Sequence, residues 1–340
     1  MGFRTRLELR LGAGMIAART TLAGVLTVAL LVTSLGVEAQ SARVYRVGVV
    51  LQGGANFAAI DGLRDGLREL GLEEGKQFVL DVRDAKGNLA SVEAAAKDLE
   101  REKVDLIYAV ATSVTLAAKR ATTSVPIVFY AGTDPVAIGL VESFRKPGGR
   151  MTGIHGQLTD LTGKRLELLK QMIPSLRRVV TFYTPDNPAS QQSVKIAREA
   201  ARQLKLELIE RPVASVGELR AGLRALRPGE ADAFCYVADA MVASQDELII
   251  ETAFAKRLPT MLSYKGSVTN GALASYGESY FALGRLAAKH VQRILLGADP
   301  GSLPVEQLDR PQFVINLKTA KALGLTIPQS VLARADEVIR

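Results

Sequence analysis

From Tyr45 onward, apolar runs of five to eight residues alternate with amphipathic stretches of ten to eighteen. This is the pattern of strands alternating with helices in a parallel sheet. A first set predicts strands over 45–51, 78–83, 104–110, 126–131 and 151–155, with helices over 57–70, 89–102, 114–122 and 136–144. In the first helix Leu63, Leu67 and Leu70 form one stripe, which stops at Gly71. A second set repeats the order: helix 161–173, strand 178–184, helix 188–204, strand 206–210, helix 216–226, strand 233–238, helix 244–257 and strand 260–264. Ser215 with Glu218 and Ser244 with Glu247 fit capping boxes, and Asn187 before Pro188 places an N-cap ahead of a first-turn proline. The chain reads as one α/β fold used twice.

Beyond these sets lie a strand over 271–276, a helix over 279–296 that stops at Gly297, and an apolar run at 313–317. A tail that adds elements after two complete lobes returns most naturally to pair with both. The expected crossings fall at Gly156 to Leu161 and near Tyr276, and two lobes joined by several crossings make a hinged clamshell with a ligand in the cleft. The expected N-terminal lobe takes 40–157 and 277–305, and the C-terminal lobe 158–276 and 306–340.

Residues 1–39 differ from the rest. Arg4, Arg6, Arg10 and Arg19 precede an apolar run from Leu22 to Leu35, and Val37-Glu38-Ala39 offers small residues at −3 and −1 before Gln40. The stretch reads as a cleavable signal peptide ending at Ala39, which predicts a periplasmic protein. The run is shorter than the ~20 residues that span a bilayer. Removing its four Arg and two Glu lowers the net charge from +8 to +6. The remaining Lys and Arg are dispersed among acidic residues, which argues against a nucleic-acid partner.

Composition narrows the chemistry. Of 340 residues one is Cys and two are His, so an intrachain disulfide is excluded, and metal and thiol-redox sites have little material. The dinucleotide-like match at 12–17 precedes any strand, and 71–76 is a residue short of a P-loop, with Gln77 where Ser or Thr would stand. His155 and Cys235 read as structural, Cys235 as a buried small hydrophobe. No cofactor or metal is expected.

In an open parallel sheet the ligand crevice lies beyond the carboxyl ends of the strands. Those positions hold Gln52 and Gly53, Thr112 and Ser113, and Thr133 and Asp134 in the first lobe. Helix N-termini near Ser113 and Thr133 suit a carboxylate. The second lobe supplies Asp186, Asn187 and Asp239, with Ser275 and Tyr276 near a crossing. An acidic Asp239 suits a ligand ammonium, and Tyr276 or Tyr183 an aromatic contact.

The stretch AAKRATTSVPIVFYAGTDPVAIGLVESFRKPGGRMTGIHG at 117–156 resembles a family of bacterial ABC-transporter substrate-binding proteins. So do GLRDGLREL at 62–70 with GLEEGK at 71–76, GKRLELLKQMIP at 163–174, VINLKTAKALGLTIP at 314–328 and ADEVI at 335–339. The resemblance covers essentially the whole chain after the leader. It implies the type I periplasmic binding protein fold, two doubly wound lobes joined by three crossovers, and members that bind tryptophan and other aromatic amino acids. Where the family commonly has Gly-Thr-Pro after the third strand, this chain has Ala111-Thr112-Ser113. Asp134-Pro135 and Asn187-Pro188 match the family, whereas Asp239 is followed by Ala240 in place of Pro.

The resulting expectation is a monomeric solute receptor without enzymatic activity. It closes over an amino acid or related carboxylate and docks on an inner-membrane ABC permease. The alternatives are a ligand sensor for a signalling receptor and an exported α/β enzyme using Asp134 or His155.

Overall fold

The apolar run Tyr45–Leu51 forms β1, whose last five residues are buried between helices on both faces of its sheet. In the computed structural model, which describes residues 43–308 and 310–340, helices and strands then alternate as the periodicity predicts. The expected leader and the match at 12–17 lie outside the described residues. The first set is α1 (Phe57–Glu69), β2 (Phe78–Asp84), α2 (Leu89–Arg101), β3 (Leu106–Val110), α3 (Thr112–Ala121), β4 (Ile127–Ala131) and β5 (Met151–His155). The second is α4 (Thr162–Met172), β6 (Arg178–Tyr183), α5 (Pro188–Gln203), β7 (Glu207–Pro212), α6 (Val216–Ala225), β8 (Ala233–Cys235), α7 (Ala240–Ala243), α8 (Asp246–Ala255), β9 (Thr260–Leu262), α9 (Lys265–Thr269) and β10 (Ala274–Gly277). The tail contributes α10 (Tyr280–Leu295), β11 (Glu306–Gln307), β12 (Gln312–Asn316), α11 (Leu317–Ala322), α12 (Gln329–Leu332) and β13 (Glu337–Ile339).

The strands form two sheets, ordered β2-β1-β3-β4-β5-β11 and β7-β6-β8-β9-β10-β12-β13. All pairs are parallel except β10 with β12. In each sheet the second strand of the set lies outside the first and the third lies inside it, so the direction of winding reverses beside β1 and again beside β6. These are the topological switch points where ligands settle in doubly wound sheets. Apolar layers cover both faces of each sheet: α1 with α10 and α2 with α3 on the first, α4 with α5 and α6 to α8 on the second. Helices α1 and α10 meet almost backbone to backbone. A Cβ on Gly284 would stand 1.8 Å from the Ala59 carbonyl oxygen, and one on Gly62 1.9 Å from that of Phe281.

Several expected elements are revised. The stretch 136–144 forms turns instead of a helix, because the Asp134 carboxylate accepts the Val136 and Ala137 N–H groups and Gly139 adopts φ 69° one turn later. The helix expected over 244–257 is α8, shortened to Asp246–Ala255, and a separate turn of helix, α7, precedes it. Ser244 donates to the Met241 carbonyl at 2.6 Å and closes α7, and Gln245 precedes α8, so no Ser244–Glu247 capping box forms. Ser215 does cap α6, with the Glu218 N–H donating to Ser215 Oγ at 3.2 Å, while the Glu218 carboxylate reaches back to the Ala214 N–H at 2.8 Å. The tail stays with the first sheet past residue 305, because Glu306 and Gln307 pair with Ile154 and His155 along the open side of β5. Gly277 pairs with Gln312 in the second sheet, one residue beyond the expected boundary.

The chain passes between the sheets at 156–161 and at 278–279, and a third time between Gln307 of β11 and Gln312 of β12. Arg165, fully buried, ties the first crossing to β10, just before the second crossing. Its guanidinium donates to the Leu158 carbonyl at 3.0 Å, the Tyr276 carbonyl at 2.8 Å and Thr162 Oγ1 at 3.3 Å, and it lies 5.6 Å from the Tyr236 ring centre. Burial pushes its pKa down, while Cys235, Tyr236, Tyr280 and Glu278 oppose that shift. Glu278, also buried, accepts the Gln157 N–H at 2.7 Å. Replacing one member of a buried charge group leaves the other charge and the abandoned carbonyls uncompensated. Arg165→Met is therefore expected to lower unfolding stability by about 3–5 kcal/mol, read as a fall in the urea midpoint at unchanged slope.

Candidate functional site

The carboxyl ends of β1, β3 and β4 face those of β6 and β8 across a narrow cavity of about 20 Å³. From the first lobe Asn56, Ala111, Thr112, Ser113, Tyr130 and Gly132 line it. Leu158 and Tyr280 come from the crossing segments, and Asn187, Tyr236 and Asp239 from the second lobe. A wider space of about 380 Å³ adjoins it, lined in part by Gln52, Lys86, Asn88, Thr184 and Ser215, and the two share Ser113, Asn187 and Asp239.

The lobes touch through positions that tolerate no side chain. A Cβ on Gly54 would stand 2.6 Å from the Ala243 carbonyl oxygen, and one on Gly87 2.5 Å from a methyl of Val216. Both glycines also hold positive φ, at 59° and 82°. These first-lobe loops thus seat directly on α6 and α7 of the second lobe.

The polar end of the cavity is built on helix starts. Helix α3 begins at Thr112 after Ala111, whose side chain accepts no N–H, so the opening amides of α3 have no side-chain cap. Ala111 holds φ 99° and ψ 155°, a region that glycine alone occupies readily. Unpaired N–H groups and the positive end of the helix dipole suit a carboxylate there. Thr112 Oγ1 is already engaged, accepting the Gly132 N–H at 3.1 Å, while Ser113 donates to Gln52 Oε1 at 3.4 Å.

Across the cavity the Asp239 carboxylate is buried and accepts three protein hydrogen bonds. They come from the Val242 N–H at 3.0 Å, the Thr184 N–H at 2.7 Å and Ser190 Oγ at 2.6 Å. Oδ1 has the spare acceptor capacity for one more donor. Asn187 caps α5 as expected, accepting the Ala189 N–H at 3.1 Å.

The remaining walls are aromatic. Tyr130 and Tyr280 lie 5.9 Å apart between ring centres, and Tyr264 stacks on Tyr280 at 5.4 Å. The Tyr236 hydroxyl accepts the Asp239 N–H at 2.9 Å and donates to the Asp239 carbonyl at 3.0 Å, which locks its ring in place.

Of the residues singled out from sequence, the fold brings Gln52, Thr112, Ser113, Asn187 and Asp239 together around these connected spaces. Six others lie elsewhere. Gly53 forms the turn after β1, its carbonyl accepting from Asn56 Nδ2 at 3.0 Å. Thr133 shares a 2.7 Å hydrogen bond with Thr159 and braces the first crossing, and Asp134 caps its own turn. Asp186 is exposed beside the cleft and lines neither space. Ser275 is buried within β10, and Tyr276 packs edge-on against Phe313 in the core beneath α4 and α5.

His155 is buried against Phe144, and Cys235 is a buried thiol whose pKa burial pushes up to about 12. Sequence reasoning missed Asn56, Tyr130, Leu158, Tyr236 and Tyr280. Tyr130 and Tyr236 stand within apolar runs, where the one available signal is a polar-tipped aromatic near a strand's carboxyl end.

The strained backbone at Ala111 has a measurable consequence. A residue in such a region costs about 1–3 kcal/mol, and glycine loses about 0.5–1 kcal/mol to its greater unfolded-state freedom. Ala111→Gly is expected to stabilise the fold by about 1 kcal/mol, seen as a rise of a few degrees in Tm by calorimetry.

Comparison with known proteins places this geometry. A model of the family described as ABC transporter substrate binding protein matches residues 45–339. The chain is 31% identical over 264 residues to a tyrosine-binding protein of Clostridioides difficile (strain R20291), covering 78% of this chain and 76% of the relative. It superposes on an ABC domain in complex with L-Trp from Streptococcus pneumonia with a TM-score of 0.78 at 27% identity, over 87% of this chain and 100% of that one. With the ligand-free, open structure of a substrate-binding protein with adhesive properties from Clostridium difficile the TM-score is 0.57 at 27% identity, over 87% of this chain and 99% of that one. The two-lobed type I periplasmic binding fold, with a match spanning both lobes and the tail, makes this chain a member of the ABC transporter substrate-binding protein family.

Proposed function

We propose that this protein is the solute receptor of an ABC importer, that it works in the periplasm after loss of its leader, and that its ligand is an aromatic amino acid. The observation that carries the reading is the composition of the interlobe cavity. Three tyrosines and Leu158 line it, uncapped amides of α3 stand on one side, and a buried carboxylate stands on the other. An α-carboxylate suits the α3 amides, an α-ammonium suits Asp239 Oδ1, and a planar ring suits the tyrosine wall. Relatives that bind tyrosine and tryptophan support the same class.

The mechanism is a shift of population. Lining groups come from both lobes, so the full set of contacts exists only when the lobes are together, and ligand binding favours that arrangement by its differential affinity. Equal identity and equal coverage of this chain, with a much better superposition on the Trp complex than on the open structure, support reading the present arrangement as the closed one. The closed form is then the form presented to the permease. No step of covalent chemistry is involved. Among the described residues no helix is long and apolar enough to cross a membrane.

The test is thermal unfolding of the purified, ligand-stripped protein, followed with an external dye because the chain has no Trp. The panel holds aromatic and aliphatic amino acids, small peptides, purines and sugars. A ligand at 1,000 times its Kd stabilises by about 4 kcal/mol, which raises Tm by several degrees. The expected result is a shift confined to aromatic amino acids. A shift by another class overturns the ligand, and none from any class overturns the receptor reading.

A further inference from the structure

We propose that the wider space between the lobes is an oxyanion site. It takes a phosphate or carboxylate, either as a free ion beside the amino acid or as a second acidic group of the ligand itself. This rests on the reading that an amino acid binds between the lobes. Most of the room there lies in this space, about 380 Å³ against about 20 Å³ in the narrow cavity.

Its wall consists of donors whose own oxygens are already taken. The side-chain oxygens of Asn88 and Asn187 accept the N–H groups of Ser91 at 3.2 Å and Ala189 at 3.1 Å. A backbone N–H only donates, so these bonds fix each carboxamide and leave its NH2 group over. Gln52 repeats the pattern, its Oε1 accepting from Ser113 Oγ at 3.4 Å. Among the described residues none of the three NH2 groups has a partner, although Gln52 and Asn187 are only 2% and 7% exposed. Ser215 Oγ accepts the Glu218 N–H, which leaves its O–H to donate, and Thr184 Oγ1 is buried without a partner. Buried donors in this state are costly unless a bound molecule supplies the acceptors.

Lys86 adds the charge. It stands in a tight turn where the Asn88 N–H donates to the Ala85 carbonyl at 2.8 Å, and Lys86 and Gly87 hold φ of 47° and 82°. This is the loop that seats on α6, so Lys86 is fixed at the seam between the lobes. Among the described residues its ammonium is in no ion pair, and Asp84 accepts only its backbone N–H, at 2.8 Å. Asp239 is the one carboxylate among the described residues that line the space, at the border with the narrow cavity. Its Oδ2 is held by the Thr184 N–H and Ser190, and a ligand ammonium at Oδ1 offsets its charge. Gln52, Lys86 and Asn88 belong to the first lobe, and Thr184, Asn187 and Ser215 to the second. An oxyanion held by both sets bridges the lobes and favours the closed arrangement.

The test is made on ligand-stripped wild type, Lys86→Gln and Lys86→Arg, each first shown to unfold cooperatively. Thermal unfolding compares sodium phosphate with chloride at equal ionic strength, and calorimetric titration compares O-phospho-L-tyrosine with L-Tyr. A free-ion site is expected to raise the wild-type Tm by several degrees in millimolar phosphate. A site for a ligand-borne group is expected to bind the phosphorylated amino acid about tenfold or more tightly than L-Tyr. In either case Lys86→Gln is expected to remove most of the gain and Lys86→Arg to keep it.

The absence of a gain from both probes overturns the proposal, as does a gain that survives in Lys86→Gln. So does competition between phosphate and L-Tyr or L-Trp, which would assign the wall to the amino acid's own carboxylate. A wild type that binds no amino acid overturns the functional reading, and the phosphate arm, measured without amino acid, still decides the anion site.

Discussion

A single buried guanidinium fastens the first crossing to the second lobe. Arg165 spans the Leu158 carbonyl on that crossing and the Tyr276 carbonyl in β10, two residues before the second crossing, so the segments on which the lobes pivot lie against one rigid group. Such a charge is tolerated because each nitrogen finds an acceptor and because Glu278 lies close enough to oppose the cost of burial. The same residue sits over the face of Tyr236, whose hydroxyl clasps the Asp239 backbone. Hinge and cavity wall are therefore one packed unit, and the cavity inherits its geometry from the hinge.

Closure depends equally on what is missing. Gly54 and Gly87 carry no Cβ at the places where first-lobe loops meet α6 and α7, so the lobes approach to backbone distance. Both are steric allowances that permit approach of the lobes. The strain at Ala111 belongs to this economy as well, since it turns the chain from β3 into α3 while leaving the amides at the start of the helix uncapped.

Much of the polar half of the site was legible because it obeys local rules. Asn187 announces itself by the proline after it, and Ser113 and Asp239 stand where parallel strands end and helices begin. The failures are instructive for the same reason. Thr133 and Asp134 carry an equally good local signal, but their side chains are consumed by a hydroxyl pair and by a turn. Tyr276 occupies a suitable position along the chain, yet its ring packs against Phe313 in the core and only its carbonyl serves the hinge. A helix expected over 136–144 failed because one aspartate and Gly139 together satisfy a turn better than a helix.

Hydrophobic periodicity, helix stops and caps determined from sequence alone that two α/β lobes of the same plan follow one another and that the tail serves both. These features are local: they depend on spacings of a few residues and on which backbone groups a neighbouring side chain can satisfy. Only the tertiary structure decided which tyrosines form the cavity wall, that β11 belongs to the first sheet, and that Arg165 lies at the pivot. Those outcomes depend on which face of a strand turns toward which layer and on pairings made more than a hundred residues apart. Periodicity assigns a residue to the interior, and packing alone assigns it to the core or to the cavity.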